Sequence, residues 1–151
     1  MWRAVFFAAI ALLAPSLAHA QNLQGEWLGG YVCGQGSTAL RLTIEDAGVG
    51  ESGDIAAQFE FGPYAENPTL PHGTFSMTGS RGPAAPGQVG PIVVLRGSEW
   101  IEHPAGYVMV DLVGWYDVTD DGEVIHGEVY AQTPINNCSL FVVRRHQVPL
   151  S

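Results

Sequence analysis

The 151-residue chain contains no lysine; its only cations besides histidine are six arginines, set against fifteen acidic side chains. A protein of formal charge −9 with scattered arginines cannot neutralise a run of phosphates, which argues against nucleic acid and anionic membrane surfaces as partners. Long apolar runs are scarce too. The one at residues 4–17 is 14 residues long and is broken by Pro15 and Ser16, short of the roughly 20 needed to span a bilayer. Charged residues make up 14 % of the chain and hydrophobic ones 46 %, which excludes a disordered chain. No amphipathic helical period of useful length follows the first twenty residues. There is no Gly-x-Ser-x-Gly serine and no His-x-His or His-x-x-x-His pair. Gly34-Gln35-Gly36 follows a strand pattern but opens no helix that would cradle a phosphate.

What is present begins with a leader pattern. Arg3 gives a short positive start, the apolar run follows, and Ala18-His19-Ala20 has the small-x-small form of a cleavage site, so a cut after Ala20 and export to the periplasm or outside the cell are expected. No cysteine follows that site, so a lipid anchor is not expected. Residues 21–151 would carry five arginines and all fifteen acids, a formal charge of −10. That length suits one domain with one core.

The remainder is rich in glycine and proline and alternates apolar and polar residues with period two, the mark of strands separated by turns. Strands are read at 25–33, around Leu40-Leu42-Ile44, from Ile55 to Phe61, at Phe75 and Met77, from Ile92 to Arg96, from Tyr107 to Tyr116, from Ile125 to Ala131, and from Asn137 to Arg145. Residues 62–72 and 81–91 read as Pro-containing loops. Eight strands joined in sequence avoid exposed edges by closing into an antiparallel barrel. The two cysteines, Cys33 and Cys138, lie on the first and last of these strands, and neither has a second Cys or His at metal-ligand spacing. In an oxidising compartment a disulfide between them is expected. If the bridged positions face each other, Arg144, six residues after Cys138, lies opposite Trp27, six before Cys33, and forms a cation–π contact with it.

Gly25-Glu26-Trp27 on the first strand, with Arg144 or Arg145 on the last, resembles the signature of lipocalin-like (calycin) barrels. These are small exported cups that bind apolar ligands or proteins. A longer pattern covers most of the chain: Trp27-x-x-Gly30-Tyr31-x-Cys33-x-Gln35-Gly36, Phe59-x-Phe61, Pro71-x-Gly73, Trp100-Ile101, Pro104-x-Gly106-Tyr107 and Cys138. It is similar to a bacterial secreted β domain found alone behind signal peptides and appended to caspase-like peptidases. That resemblance carries no catalytic residues with it and implies a binding or interaction role.

The candidate ligand-binding residues are Trp100, Glu102, His103, Tyr107, Asp111 and Trp115. In the first four, flat aromatics would stack on a sugar or a partner side chain while Glu and His fix its orientation; the plain alternative is that Trp100 covers a barrel end and 104–106 turn the chain. Asp111 shares a face with Tyr107, Met109, Val113 and Trp115, and would anchor a ligand if that face lined a cavity. The opposite face, with Val108, Val110 and Leu112, is the more uniformly apolar, which favours a solvated Asp111. Glu99 and Glu102 are placed poorly for a glycosidase pair, because such carboxyls must face each other across a cleft. The acidic run from Asp117 to Glu123 lacks the alternate spacing of a calcium loop and reads as a hairpin turn. His72, His103, His126 and His146 are widely separated. No catalytic set, metal site or cofactor is expected, and a monomer is. The expected role is a non-catalytic exported barrel that binds a protein or small ligand. The alternatives are an inhibitor of a basic lysozyme-like hydrolase, with loops 62–72 and 81–91 plugging its cleft, and a carrier of a small apolar ligand.

Overall fold

The period-two pattern becomes eight strands: β1 Gly25–Cys33, β2 Gly36–Asp46, β3 Gly53–Gly62, β4 Gly73–Gly82, β5 Ile92–Glu102, β6 Val110–Thr119, β7 Gly122–Ala131 and β8 Leu140–Arg145. The computed structural model describes residues 22–47 and 52–147; the expected leader, residues 1–20, lies outside them. Each strand pairs antiparallel with the next and β1 pairs with β8, so the sheet closes into an eight-stranded barrel. Closure leaves no unpaired edge to template association. The Cys33–Cys138 disulfide joins the two closing strands near one end, across a sequence separation of 105.

Alternation decides which side chains enter the barrel. On β2, Leu40, Leu42 and Ile44 are buried while Arg41 and Thr43 face out, and Arg41 reaches Glu26 at 3.8 Å and Glu60 at 4.0 Å on the outer wall. Trp27, Phe59, Phe75, Tyr116 and Phe141 are among the largest fully buried side chains, with Phe59 and Phe75 stacked at 4.6 Å. The axis of the barrel is therefore packed with side chains, as eight strands permit. Two inward positions must lack a side chain. A Cβ on Gly29 would fall 1.9 Å from the Val142 carbonyl oxygen, and one on Gly79 would fall 1.8 Å from that of Val94.

One end of the barrel, the base, is sealed. Leu23 is fully buried beneath Trp27, whose Nε1 donates to the Leu23 carbonyl at 3.0 Å. The Leu23 N–H donates to Asp46 Oδ2 at 3.0 Å, and Arg81 Nε donates to Asp46 Oδ1 at 3.0 Å. This ion pair is almost completely buried, with side chains 1 % and 2 % exposed. Arg145 donates to the carbonyls of Asn22 and Gln24 and to Glu123, tying the entering chain to the last strand. The Tyr116 hydroxyl donates to Glu123 at 2.7 Å. Burial alone would push the Glu123 carboxyl up, but the Tyr116 hydroxyl and the Arg145 guanidinium outweigh it and hold its pKa below the ordinary value.

The partner of Trp27 is Arg145, not Arg144. Its Cζ stands 4.4 Å from the ring centroid, and the two residues pair across the ladder. Counting six positions from each cysteine presumes that the bridged residues face each other in register. The β1–β8 ladder runs from Tyr31↔Phe141 to Trp27↔Arg145, and continued upward it brings Ser139 level with Cys33. Cys138 lies one residue earlier, in the segment before β8, so the count slips by one and reverses the face. Arg144 points outward instead, where its Nη1 donates to Thr119 Oγ1 at 3.2 Å.

Other boundaries moved as well. β5 runs on to Glu102 rather than stopping at Arg96, and β6 starts at Val110 rather than Tyr107. The expected loop at 81–91 begins only after Gly82. Loops 63–72 and 83–91 leave opposite ends of the barrel, so they cannot together plug one cleft.

Candidate functional site

The open end, the mouth, is built from the turn at 34–35 and the loops at 63–72, 103–109 and 132–139. Its aromatic residues arrive there through two irregularities in β5. Opposite β4, the register passes from Met77↔Gly97 to Ser76↔Glu99 and from Phe75↔Trp100 to Thr74↔Glu102. Ser98 and Ile101 are therefore extra residues without a partner. The first bulge reverses the alternation: Val93 and Leu95 point inward at odd positions, yet Trp100 faces in beside Phe75.

From Trp100 a series of rings leads out of the core. Its indole meets Phe75 edge-on at 5.2 Å and Phe61 at 6.3 Å, and on its outer side His103 stacks flat at 4.0 Å. Tyr107 lies on Phe61 at 5.3 Å. A ring nitrogen of His103, Nε2, is 2.7 Å from the Tyr107 carbonyl oxygen. The Tyr107 N–H donates to the Pro104 carbonyl, and Gly106 has φ +84°, a conformation glycine tolerates best. These bonds hold 103–107 as a tight turn, so Trp100, His103 and Tyr107 form one rim. Glu102 is exposed beside it.

Beside Tyr107 is a cleft of about 300 Å³, lined by Tyr31, Gln35, Tyr107, Val108, Asn137 and the disulfide; Trp100 and His103 do not line it. Gln35 Nε2 donates to the Tyr31 hydroxyl at 3.3 Å and to Thr38 Oγ1 at 3.2 Å. Burial, with the Tyr107 phenol adding to it, raises the Tyr31 pKa well above the ordinary tyrosine value; the bonds from Thr38 and Gln35 offset only part of that. The Tyr31 hydroxyl stays neutral and offers a hydrogen bond, not a charge. Asn67 Nδ2 donates to the Gln35 carbonyl at 2.6 Å, so loop 63–72 is fastened over the first turn. Tyr31 and Gln35 were not among the candidate ligand-binding residues, although both belong to the Trp27-x-x-Gly30-Tyr31-x-Cys33-x-Gln35-Gly36 pattern and Tyr31 shares an inward face with Trp27 and Cys33.

Asp111 and Trp115 are not at this site. Both lie on the outer wall, because β6 buries Val110, Leu112 and Tyr116. Asp111 Oδ1 accepts from the Gly97 N–H at 3.1 Å and from Gln132 Nε2 at 2.8 Å, a strut from β6 to β5 and to the loop after β7. Trp115 pairs with His126 at 6.4 Å on the same wall. Glu99 and Glu102 are exposed and neither lines the cleft. Asp117 caps the Val118 N–H, and Thr119 closes the hairpin to Gly122. Among the described residues, no group of three or more His, Cys, Asp or Glu side chains is placed to hold a metal ion. Compared with known protein families, curated proteins and solved structures, the chain finds no match in any of the three.

Proposed function

We propose that this chain is an exported, non-catalytic binding domain, and that the mouth is where it binds. The observation that carries the reading is the joining of two features at Tyr107: an exposed His103 stacked on Trp100 and bonded to the Tyr107 carbonyl, and a cleft of about 300 Å³ that Tyr107 lines. Aromatic rings held rigidly by their own stacking lose little side-chain freedom on binding, which is why such rims make effective contact surfaces. The disulfide suits an oxidising compartment. The lipocalin-like carrier reading draws support from Gly25-Glu26-Trp27 and Arg145, but a packed axis leaves a small apolar ligand to compete with Phe59, Phe75 and Phe141 for room. A partner that docks on the mouth meets no such competition.

The test is an affinity capture from periplasm with the mature chain, comparing wild type with a double variant that makes two exposed apolar residues of the mouth polar, Ile101→Ser with Ile135→Ser. Both residues are well exposed, at 63 % and 80 %, so the fold should tolerate the change. Wild type should retain a specific partner that the variant releases. Equal capture by both would remove the mouth from the proposal. Native lipid seen by mass spectrometry of the purified chain would favour the carrier reading.

A further inference from the structure

The mouth carries acids with no arginine among them. Glu66, Glu99, Glu102 and Glu128 lie on its loops or the adjoining strand ends, while no arginine occurs in any of its four connections. The arginines of the described chain sit elsewhere: Arg41 and Arg96 are midway along β2 and β5, and Arg81, Arg144 and Arg145 are at the base. The base is just as acidic, with Glu45, Asp46, Asp54, Asp117, Asp120, Asp121 and Glu123, but there Arg81, Arg144 and Arg145 stand among the acids, and the cleft found there among the described residues is lined by no aromatic side chain.

We propose, resting on the reading of the mouth as the binding site, that it docks a protein presenting a basic loop, with one lysine or arginine side chain entering between Tyr31 and Tyr107. Three features converge on this. The field at the mouth is negative, which attracts a cation over roughly the 8 Å screening distance at physiological salt. The cleft is lined by two tyrosines and two amides, Gln35 and Asn137, and by no charged side chain, so a cation entering it meets aromatic and neutral hydrogen-bonding groups without a competing positive charge. Val108, which lines the cleft, is 45 % exposed, and Ile101 and Ile135, on β5 and the loop after β7 at the same end, are exposed by 63 % and 80 %. A free amine would leave these apolar side chains wet, whereas a protein loop covers them while its charged residue occupies the cleft.

The experiment selects disulfide-constrained random peptide loops against the oxidised full chain and measures the affinity of the enriched loops. Loops carrying a lysine or arginine flanked by apolar residues should dominate. Their binding should fall at least about fivefold in Glu99→Gln/Glu102→Gln and in Ile135→Ser, and should weaken as salt rises. It should be unchanged in the base variant Asp120→Asn/Asp121→Asn. Because all these positions are exposed, thermal unfolding should match wild type, so a loss of binding is not a loss of fold. Enriched loops without a basic residue whose binding the Ile135→Ser change still abolishes would overturn this inference and leave the mouth as the binding site. Loops indifferent to every mouth variant, or no enrichment at all, would overturn both.

Discussion

Asp46 and Arg81 offer the sharpest test of the sealed base. Their side chains are 2 % and 1 % exposed, the guanidinium Nε is 3.0 Å from the carboxylate, and the carboxylate also accepts the Leu23 N–H at 3.0 Å. Changing Arg81 to Met takes the guanidinium away from a buried carboxylate; changing Asp46 to Asn takes the negative charge away from a buried guanidinium. Breaking one side of such a pair costs about 3–5 kcal/mol, because the remaining charge keeps its desolvation penalty without its partner. That is a large part of the roughly 5–15 kcal/mol that holds a domain folded. For a chain of this size it should lower Tm by roughly 10–20 °C, followed by circular dichroism in the oxidised protein. The double change Asp46→Leu with Arg81→Met removes both charges and should recover most of the loss. A single variant that loses less than about 1 kcal/mol would refute the reasoning, since the charges would then have to be hydrated rather than sealed. A double variant as unstable as the two singles summed would show that packing, not charge imbalance, sets the cost.

Reducing the disulfide, or replacing Cys33 and Cys138 together by Ala, frees a loop spanning 105 residues and should cost about 4–5 kcal/mol in the chain-entropy model, read from denaturant midpoints. Arg145→Ala should destabilise by about 2–4 kcal/mol and alter Trp27 fluorescence, whereas Arg144→Ala should change stability by less than about 0.5 kcal/mol; equal effects would contradict the register found here. Glu123 has a depressed pKa in the folded state, so its contribution is fully present above the unfolded value near about 4.3 and is lost as pH falls through the folded value. Glu123→Gln should accordingly flatten the acid limb of a stability–pH profile. Gly29→Ala should unfold the chain or shift the β1–β8 pairing, visible as lost hydrogen-exchange protection on those strands, because its Cβ would overlap the Val142 carbonyl.

Much of this architecture could be read before any coordinates. Leu40-Leu42-Ile44 and Ile55-Ala57-Phe59-Phe61 announce their inward faces, since a strand with one face in a core must alternate. The turn residues between such runs separate eight strands, and two cysteines near the chain's extremes point to closure of the first strand on the last. The candidate site was legible only in part. Trp100, His103 and Tyr107 could be proposed as a rim from their density in one short stretch, while Asp111 and Trp115 were tied to them through the alternating face they share with Tyr107; β6 turns that face outward, in line with the more uniformly apolar face of Val110 and Leu112 being the buried one.

The amino-acid sequence alone determined the all-β class, the number of strands and the pairing of Cys33 with Cys138, because each rests on local periodicity or on there being just two thiols. The tertiary structure alone decided where the alternation breaks. An unpaired Ser98 turns Trp100 inward, and a one-residue offset after Cys138 puts Arg145, not Arg144, over Trp27. A bulge is defined by a residue that lacks a partner on the neighbouring strand, and a linear pattern carries no record of its neighbours. The same holds for Asp46 and Arg81, which lie 35 positions apart in sequence and become one buried pair only when β2 and β4 both end at the base.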